Sequence, residues 1–408
     1  MNTKIRLTLM NFLQYAVWGA WLISLGAYLG NTLKFDGLQI GSFFATMGIA
    51  SLFMPAVMGI IADRWIPAQR LLGLCHLFAA GFIPLAATRT DYNSLYTLVL
   101  LSVMFYMPTI ALSNSVAYNA LEKAGLDTVT HFPPIRVWGT VGFICAMWVV
   151  DLGKMGLSAT QLYFSATLGL ILGLYSFTLP NCPINRSGGG KSIVDLLGLR
   201  AFALFKQRKM AIFFIFSMLL GMSLQITNAF ADGYIKSFGD TGIHGAKYLG
   251  TFGVEHSTIL ISLSQISETL CILLIPFFLK RFGIKRVMLI AMFAWVLRFA
   301  LLGAGNPGPG VWMFILSMVV YGVAFDFFNI SGSLFVEKET SAAIRSSAQG
   351  VFMIMTNGLG ALIGSYLAGW VVNHYGWPLS WYLFAGFSLV VAIVFAVIFK
   401  YKHDPNRI

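Results

Sequence analysis

The chain has 408 residues, 58% of them in the hydrophobic set and only 10% charged, with a net charge of +12. A soluble protein carries about 25% charged residues, and this one has too few to wet a globular surface. The composition also excludes a disordered chain, a collagen-like repeat and a disulfide scaffold, which leaves an all-α polytopic membrane protein. A spanning helix needs about 20 mostly apolar residues. Twelve such stretches follow one another, at about 7–30, 38–61, 71–87, 94–119, 136–151, 160–180, 211–234, 257–279, 286–303, 312–335, 347–373 and 380–400. The first follows Lys4 and Arg6 and is long and rich in Trp and Tyr, so it reads as an uncleaved span and not as a signal peptide. The longest polar interruption, about 181–210, contains Ser187-Gly188-Gly189-Gly190-Lys191, a flexible-linker composition. It divides the chain into a six-span bundle at 1–180, a cytoplasmic linker at 181–210 and a second six-span bundle at 211–408. Residues 194–205 within it could lie on the inner surface as an amphipathic helix.

The charges orient this arrangement. With the N-terminus in the cytoplasm and the spans alternating, 21 of the 27 basic residues fall on the inner side and 5 on the outer, with Arg298 inside a span. Lys and Arg concentrate on the cytoplasmic side of membrane proteins. The asymmetry therefore predicts cytoplasmic N- and C-termini and explains the net charge with no nucleic-acid partner. Cys75, Cys145, Cys182 and Cys271 are far apart and form no CxxC pair, indicating neither a metal site nor a disulfide framework. Without an HExxH or GxSxG pattern there is no sign of an intramembrane enzyme, and no cofactor is expected.

Ionisable groups within a span cost about 2.5–3.5 kcal/mol each on insertion scales, so each asks for a reason. They are Arg136, Asp232, Glu268, Arg298 and Asp326. Span 5 carries Arg136, Thr140 and Phe143 at helical spacing; span 7 carries Gln225, Asn228 and Asp232; span 8 carries Gln265 and Glu268; span 10 carries Tyr321, Phe325, Asp326, Asn329 and Ser333. Residues three and four apart share a helix face. Isolated buried amides are most often interhelical glue. Grouped with two carboxylates on other spans, they read as a binding site. His76 in span 3 reads as a hydrogen-bonded packing histidine in preference to a proton relay, and Gly360 with Gly364 as a close helix contact within the chain.

The residue types constrain the solute. Side-chain amides offer a paired donor and acceptor, which suits a nucleobase edge. Carboxylates accept from vicinal hydroxyls, and Phe143 and Phe325 can stack on a planar ring or sugar face. Only Arg136 and Arg298 could meet a phosphate, which disfavours nucleotides. A neutral, partly planar solute fits: a nucleoside first, a sugar or glycoside as the alternative. Burial disfavours the charged form of a carboxyl, so Asp326 and Glu268 are also candidates for proton coupling, with Asp326 as the preferred carrier and Glu268 as a substrate ligand.

Gly59-Ile60-Ile61-Ala62-Asp63-Arg64 resembles the loop signature of the major facilitator superfamily, with Pro67 and Gln69 where that signature has a glycine and a basic residue. The short basic loop at 279–287 occupies the same place in the second half. Closer resemblance lies in Phe132-Pro133-Pro134-Ile135-Arg136-Val137-Trp138-Gly139-Thr140, in Leu224-Gln225-Ile226-Thr227-Asn228, in Ser264-Gln265-Ile266-Ser267-Glu268-Thr269 and in Ala324-Phe325-Asp326-Phe327-Phe328-Asn329-Ile330-Ser331-Gly332. These are similar to the bacterial nucleoside permeases of the nucleoside:proton symporter family. The resemblance implies the major facilitator fold and proton-driven import of purine and pyrimidine nucleosides, such as uridine and adenosine, across the bacterial inner membrane by alternating access. It implies a substrate site built from Arg136, Thr140, Phe143, Gln225, Asn228, Gln265, Glu268, Tyr321, Phe325 and Asp326. A monomer in the lipid bilayer is expected, and the segment at 239–256 departs most from the family.

Overall fold

The computed structural model describes residues 2–184, 199–244, 246–341 and 344–401. The Gly/Ser run at 187–190, the first part of the amphipathic segment, and Arg186, Lys191, Lys402 and Arg407 lie outside the described residues. Among the described residues the secondary structure is helical, with no strand.

Nine helices among the described residues are long and apolar enough to cross a membrane. One of them, Ser257–Ala304, is two spans: Gly283 within it has φ 75° and ψ 167°, a conformation only glycine adopts readily. Two further spans, Thr3–Gly19 and Thr160–Ser176, have 17 residues each. The first runs on through Leu25–Ala27 and a π-helical turn at Tyr28–Thr32. The twelve spans are thus α1 (Thr3–Gly19), α2 (Gly37–Arg64), α3 (Ala68–Ala87), α4 (Tyr92–Lys123), α5 (Thr128–Leu152), α6 (Thr160–Ser176), α7 (Arg208–Ser237), α8 (257–282), α9 (284–304), α10 (Val311–Glu339), α11 (Ser347–Tyr375) and α12 (Leu379–Ile398). Each overlaps a stretch read from hydropathy.

Local chemistry sets several ends. Asp91 and Asp127 accept from the backbone N–H groups of Ser94 and Thr130 at 2.8 Å, capping α4 and α5 as short acidic side chains do. Pro55, Pro84, Pro108, Pro133, Pro134 and Pro276 lie inside helices, as membrane helices tolerate. Outward faces are apolar: Leu273 is 74% and Val397 70% exposed, as suits contact with lipid chains. The described end of the amphipathic segment is a 3₁₀ helix, Leu199–Lys206, not an α-helix. The divergent 239–256 segment contains two short helices, Thr241–His244 and Phe252–Glu255.

The chain divides into two compact units, Met1–Phe35 with Thr46–Leu197, and Asp36–Ala45 with Gly198–Ile408. In the first, α1 and α5 meet backbone to backbone: a methyl placed on Gly142 would lie 2.1 Å from the Phe12 carbonyl oxygen, and one on Gly19 2.4 Å from that of Phe143. In the second, α7 and α11 meet in the same way. A methyl on Gly221 would lie 2.2 Å from the Thr356 oxygen, one on Gly360 2.6 Å from the Met218 oxygen, and one on Gly364 2.5 Å from the Met222 Cα. Gly360 and Gly364 therefore serve a contact within the chain. First and fifth helices form the tight seam of each unit, a structural repeat that the sequence shows only faintly. The opening residues of α2 group with the second unit because they pack on α11: the Gly37 N–H donates to Asn373 Oδ1 at 2.5 Å.

Candidate functional site

In the first unit, α5 carries all three of its candidates. The Arg136 guanidinium carbon lies 3.9 Å from the centre of the Tyr15 ring on α1, a cation–π contact. Gly139 makes the room: a methyl there would meet the Tyr15 ring at 2.6 Å and Arg136 Nη1 at 2.8 Å. Phe143 is buried and stands edge-on to Trp18, with ring centres 6.4 Å apart at 86°. Trp18 also packs on Tyr106 at 5.7 Å, and its buried Nε1 has no hydrogen-bond partner. Thr140 is half-buried. Sequence reasoning missed Tyr15. Its signal is local, since Tyr15 and Trp18 share a face of α1, but its pairing with Arg136 is a long-range fact.

In the second unit, α8 and α10 assemble a cluster. Gln265, Glu268 and Asp326 all act electrostatically on the Tyr321 hydroxyl. Glu268 and Asp326 also act on each other. Phe325 stacks on Tyr321, with centres 5.7 Å apart and planes 5° from parallel. Asp326 is 4% exposed and its Oδ2 has no hydrogen-bond partner. Arg298 on α9 completes the group. It is 2% exposed, its guanidinium carbon lies 4.7 Å from the centre of the Tyr321 ring, and its Nη1 donates to the Ser317 carbonyl at 2.6 Å. Five of the seven candidates of this unit are thus brought together. Gln225 and Asn228 stand one turn apart on α7, and no hydrogen bond or ring contact among the described residues joins them to the cluster. Gln225 is buried with Oε1 unpartnered, and Asn228 is half-buried.

Two polar residues of the expected stripes serve structure instead. Asp232 accepts from Lys236 Nζ at 2.7 Å, from Ser257 Oγ at 2.6 Å and from Thr258 Oγ1 at 3.2 Å, so its charge is balanced one turn along its own helix. Ser333 donates to Gln349 Oε1 at 3.2 Å, tying α10 to α11. Stranding one partner of a buried ion pair costs about 3–5 kcal/mol. Asp232→Ala is therefore expected to lower the thermal unfolding temperature sharply in a detergent melt, while the fraction that survives still accumulates substrate. A normal melt with lost accumulation would move Asp232 into the transport chemistry.

Twelve membrane spans in two units, with amides, aromatics and two interacting carboxylates inside them, define a proton-coupled solute transporter of the major facilitator fold. The chain belongs to the Nucleoside H+ symporter family, whose profile matches residues 1–404. It is 50% identical over 410 residues to the nucleoside permease NupG of Escherichia coli, covering 99% of this chain and 97% of that one. It is 49% identical over 415 residues to the xanthosine permease of Escherichia coli, covering 100% and 98%. Among solved structures, a crystal structure of a mutant of the nucleoside transporter NupG superposes with a TM-score of 0.94 at 50% identity, covering 98% of this chain and 100% of that one.

Proposed function

We propose that this protein imports nucleosides together with protons across the bacterial inner membrane by alternating access, with both termini in the cytoplasm and the monomer as the working unit. Residues 1–180 and 211–408 act as its two transport domains, joined by the linker at 181–210. One observation carries the reading. Two interacting carboxylates, Glu268 and Asp326, share a cluster with an amide and stacked aromatics, in a chain whose length from 1 to 404 matches nucleoside H+ symporters. The sugar alternative is not favoured by that match.

In this reading the base stacks on Phe143 or Phe325 and its edge is read by Gln225 and Asn228. The ribose hydroxyls donate to Glu268, with Gln265, Tyr321, Arg136 and Thr140 completing the set. Asp326 takes up and releases the proton. Uridine and adenosine are the expected substrates, since an amide can turn to pair with either base type. The test is uptake of radiolabelled uridine and adenosine into proteoliposomes, with and without an imposed inward proton gradient. Gradient-driven accumulation of both is expected, abolished by a protonophore; accumulation of sugars alone would overturn the substrate assignment. Gln225→Ala is expected to raise the uptake KM roughly tenfold, as losing a hydrogen bond to a buried substrate group does. An unchanged KM would remove Gln225 from the site.

A further inference from the structure

Behind the aromatic face of the first unit lies a directed hydrogen-bond chain that the transport reading leaves unused. Gln14 on α1, Thr109 on α4 and His76 on α3 are wholly buried. The Thr109 hydroxyl donates to the Tyr106 carbonyl at 2.5 Å, so toward Gln14 it can only accept. Gln14 Nε2 fills that role at 2.7 Å. The amide oxygen of Gln14 must then face His76, where Oε1 and the ring Nε2 are 2.8 Å apart. That oxygen has no proton to give, so the imidazole carries its proton on Nε2. Tyr106 closes the loop by donating its hydroxyl to the Gln14 backbone carbonyl at 2.8 Å.

The other ring nitrogen supplies a second observation. His76 Nδ1 is buried without a protein partner. It borders a cavity of about 20 Å³, lined also by Trp21, Ser102, Tyr106 and Ser165. That is room for one water, whose O–H would meet the Nδ1 lone pair. The imidazole is held as a donor toward Gln14. From it the contacts run outward to the candidate site. The Tyr106 ring stands 5.9 Å from the imidazole and 5.7 Å from Trp18, and Trp18 stands 6.4 Å from Phe143.

We propose that His76 is a positioning residue for substrate: through Gln14 it fixes Tyr106, and through Tyr106 the Trp18–Phe143 face on which the planar base stacks. The proposal rests on the reading of Phe143 as a substrate contact. A histidine that merely packs would, when replaced, lower stability and leave affinity alone. A positioning histidine changes affinity, and a side chain that restores the Nε2 donor rescues it.

The experiment measures uridine uptake kinetics in proteoliposomes for wild type, His76→Leu, His76→Gln, Phe143→Ala and the His76→Leu/Phe143→Ala double variant. His76→Leu is expected to raise KM roughly fivefold, with the maximal rate per inserted transporter and the accumulation ratio unchanged. His76→Gln, whose amide N–H can still donate to Gln14, is expected to return KM to within about twofold of wild type. The double variant is expected to show no more than the Phe143→Ala effect, because coupled residues are not additive. If His76→Leu does not insert, Thr109→Val breaks the same chain at its far end, with the same rise in KM expected. A raised KM in Phe143→Ala with an unchanged KM in His76→Leu overturns the positioning role alone, as does a glutamine variant as impaired as the leucine one. An unchanged KM in Phe143→Ala overturns the contact assignment beneath it.

Discussion

Asp326→Asn is expected to turn an accumulating transporter into one that only equilibrates its substrate. The substitution keeps the shape and polarity of the side chain and removes the one thing an amide cannot carry, an exchangeable proton on a carboxylate. The site favours this role: Asp326 is 4% exposed, its Oδ2 has no partner, and another carboxylate, Glu268, acts on it. Carboxylates inside a membrane mark substrate pathways and proton relays. A membrane potential of order 150 mV supplies roughly 3.5 kcal/mol per proton, enough to concentrate a neutral solute about a few hundred-fold. In proteoliposomes with an imposed gradient the wild type should approach that ratio, and the Asn variant should stay near about one while retaining nucleoside exchange. Accumulation by the variant equal to wild type would pass the proton to Glu268.

The second large effect is structural. Gly142→Ala and Gly221→Ala are each expected to cost about 3 kcal/mol or more, read as lost yield and a lowered detergent melt. In both cases the added methyl meets a backbone carbonyl, at 2.1 Å for Gly142 and 2.2 Å for Gly221, and a carbonyl in a helix has no rotamer by which to withdraw. Gly386→Ala is the matched control: nothing lies within 4 Å of its added methyl, and alanine is favoured over glycine in a helix by up to about 1 kcal/mol. Equal melts for all three variants would show that the seams are looser than the packing implies.

The span count was legible because it depends on hydropathy and charge, which are local. The π-helical turn at Tyr28–Thr32 alters the geometry of a helix without altering its apolar content, so hydropathy passes over it, whereas the break at Gly283 falls within the short basic loop at 279–287 that the charges mark. The candidate site was legible in part. Helical spacing put Gln265 with Glu268 and Phe325 with Asp326, and α8 and α10 do bring these together. Asp232 shares the polar face of α7, and its partner Lys236 lies one turn away on the same helix. The stretch read from hydropathy ends at 234, short of Lys236, while α7 extends to Ser237. Tyr15 under Arg136 and Arg298 against Tyr321 could not be read, because each pairs residues on different helices and no periodicity within one helix reports on that. His76 as a hydrogen-bonded interior residue was read correctly from its setting, while the direction of its bonds needed the positions of Gln14 and Thr109.

Gln69, which replaces a basic residue of the superfamily loop signature, has a consequence for behaviour in concentrated electrolyte. Its amide holds the chain beyond α6 from both ends: Nε2 donates to Asn181 Oδ1 at 2.6 Å, and Oε1 accepts from the Cys182 backbone N–H at 2.9 Å. This fastening contains no net charge. In the second unit a tie between the start of α7 and the end of α10 is ionic and partly wet, Lys209 to Glu339 at 2.5 Å, with side chains 39% and 26% exposed. At physiological ionic strength, charges in water are screened over about 8 Å, and the screening length shortens as salt accumulates. Raised salt therefore loosens the second tie and leaves the first as it was.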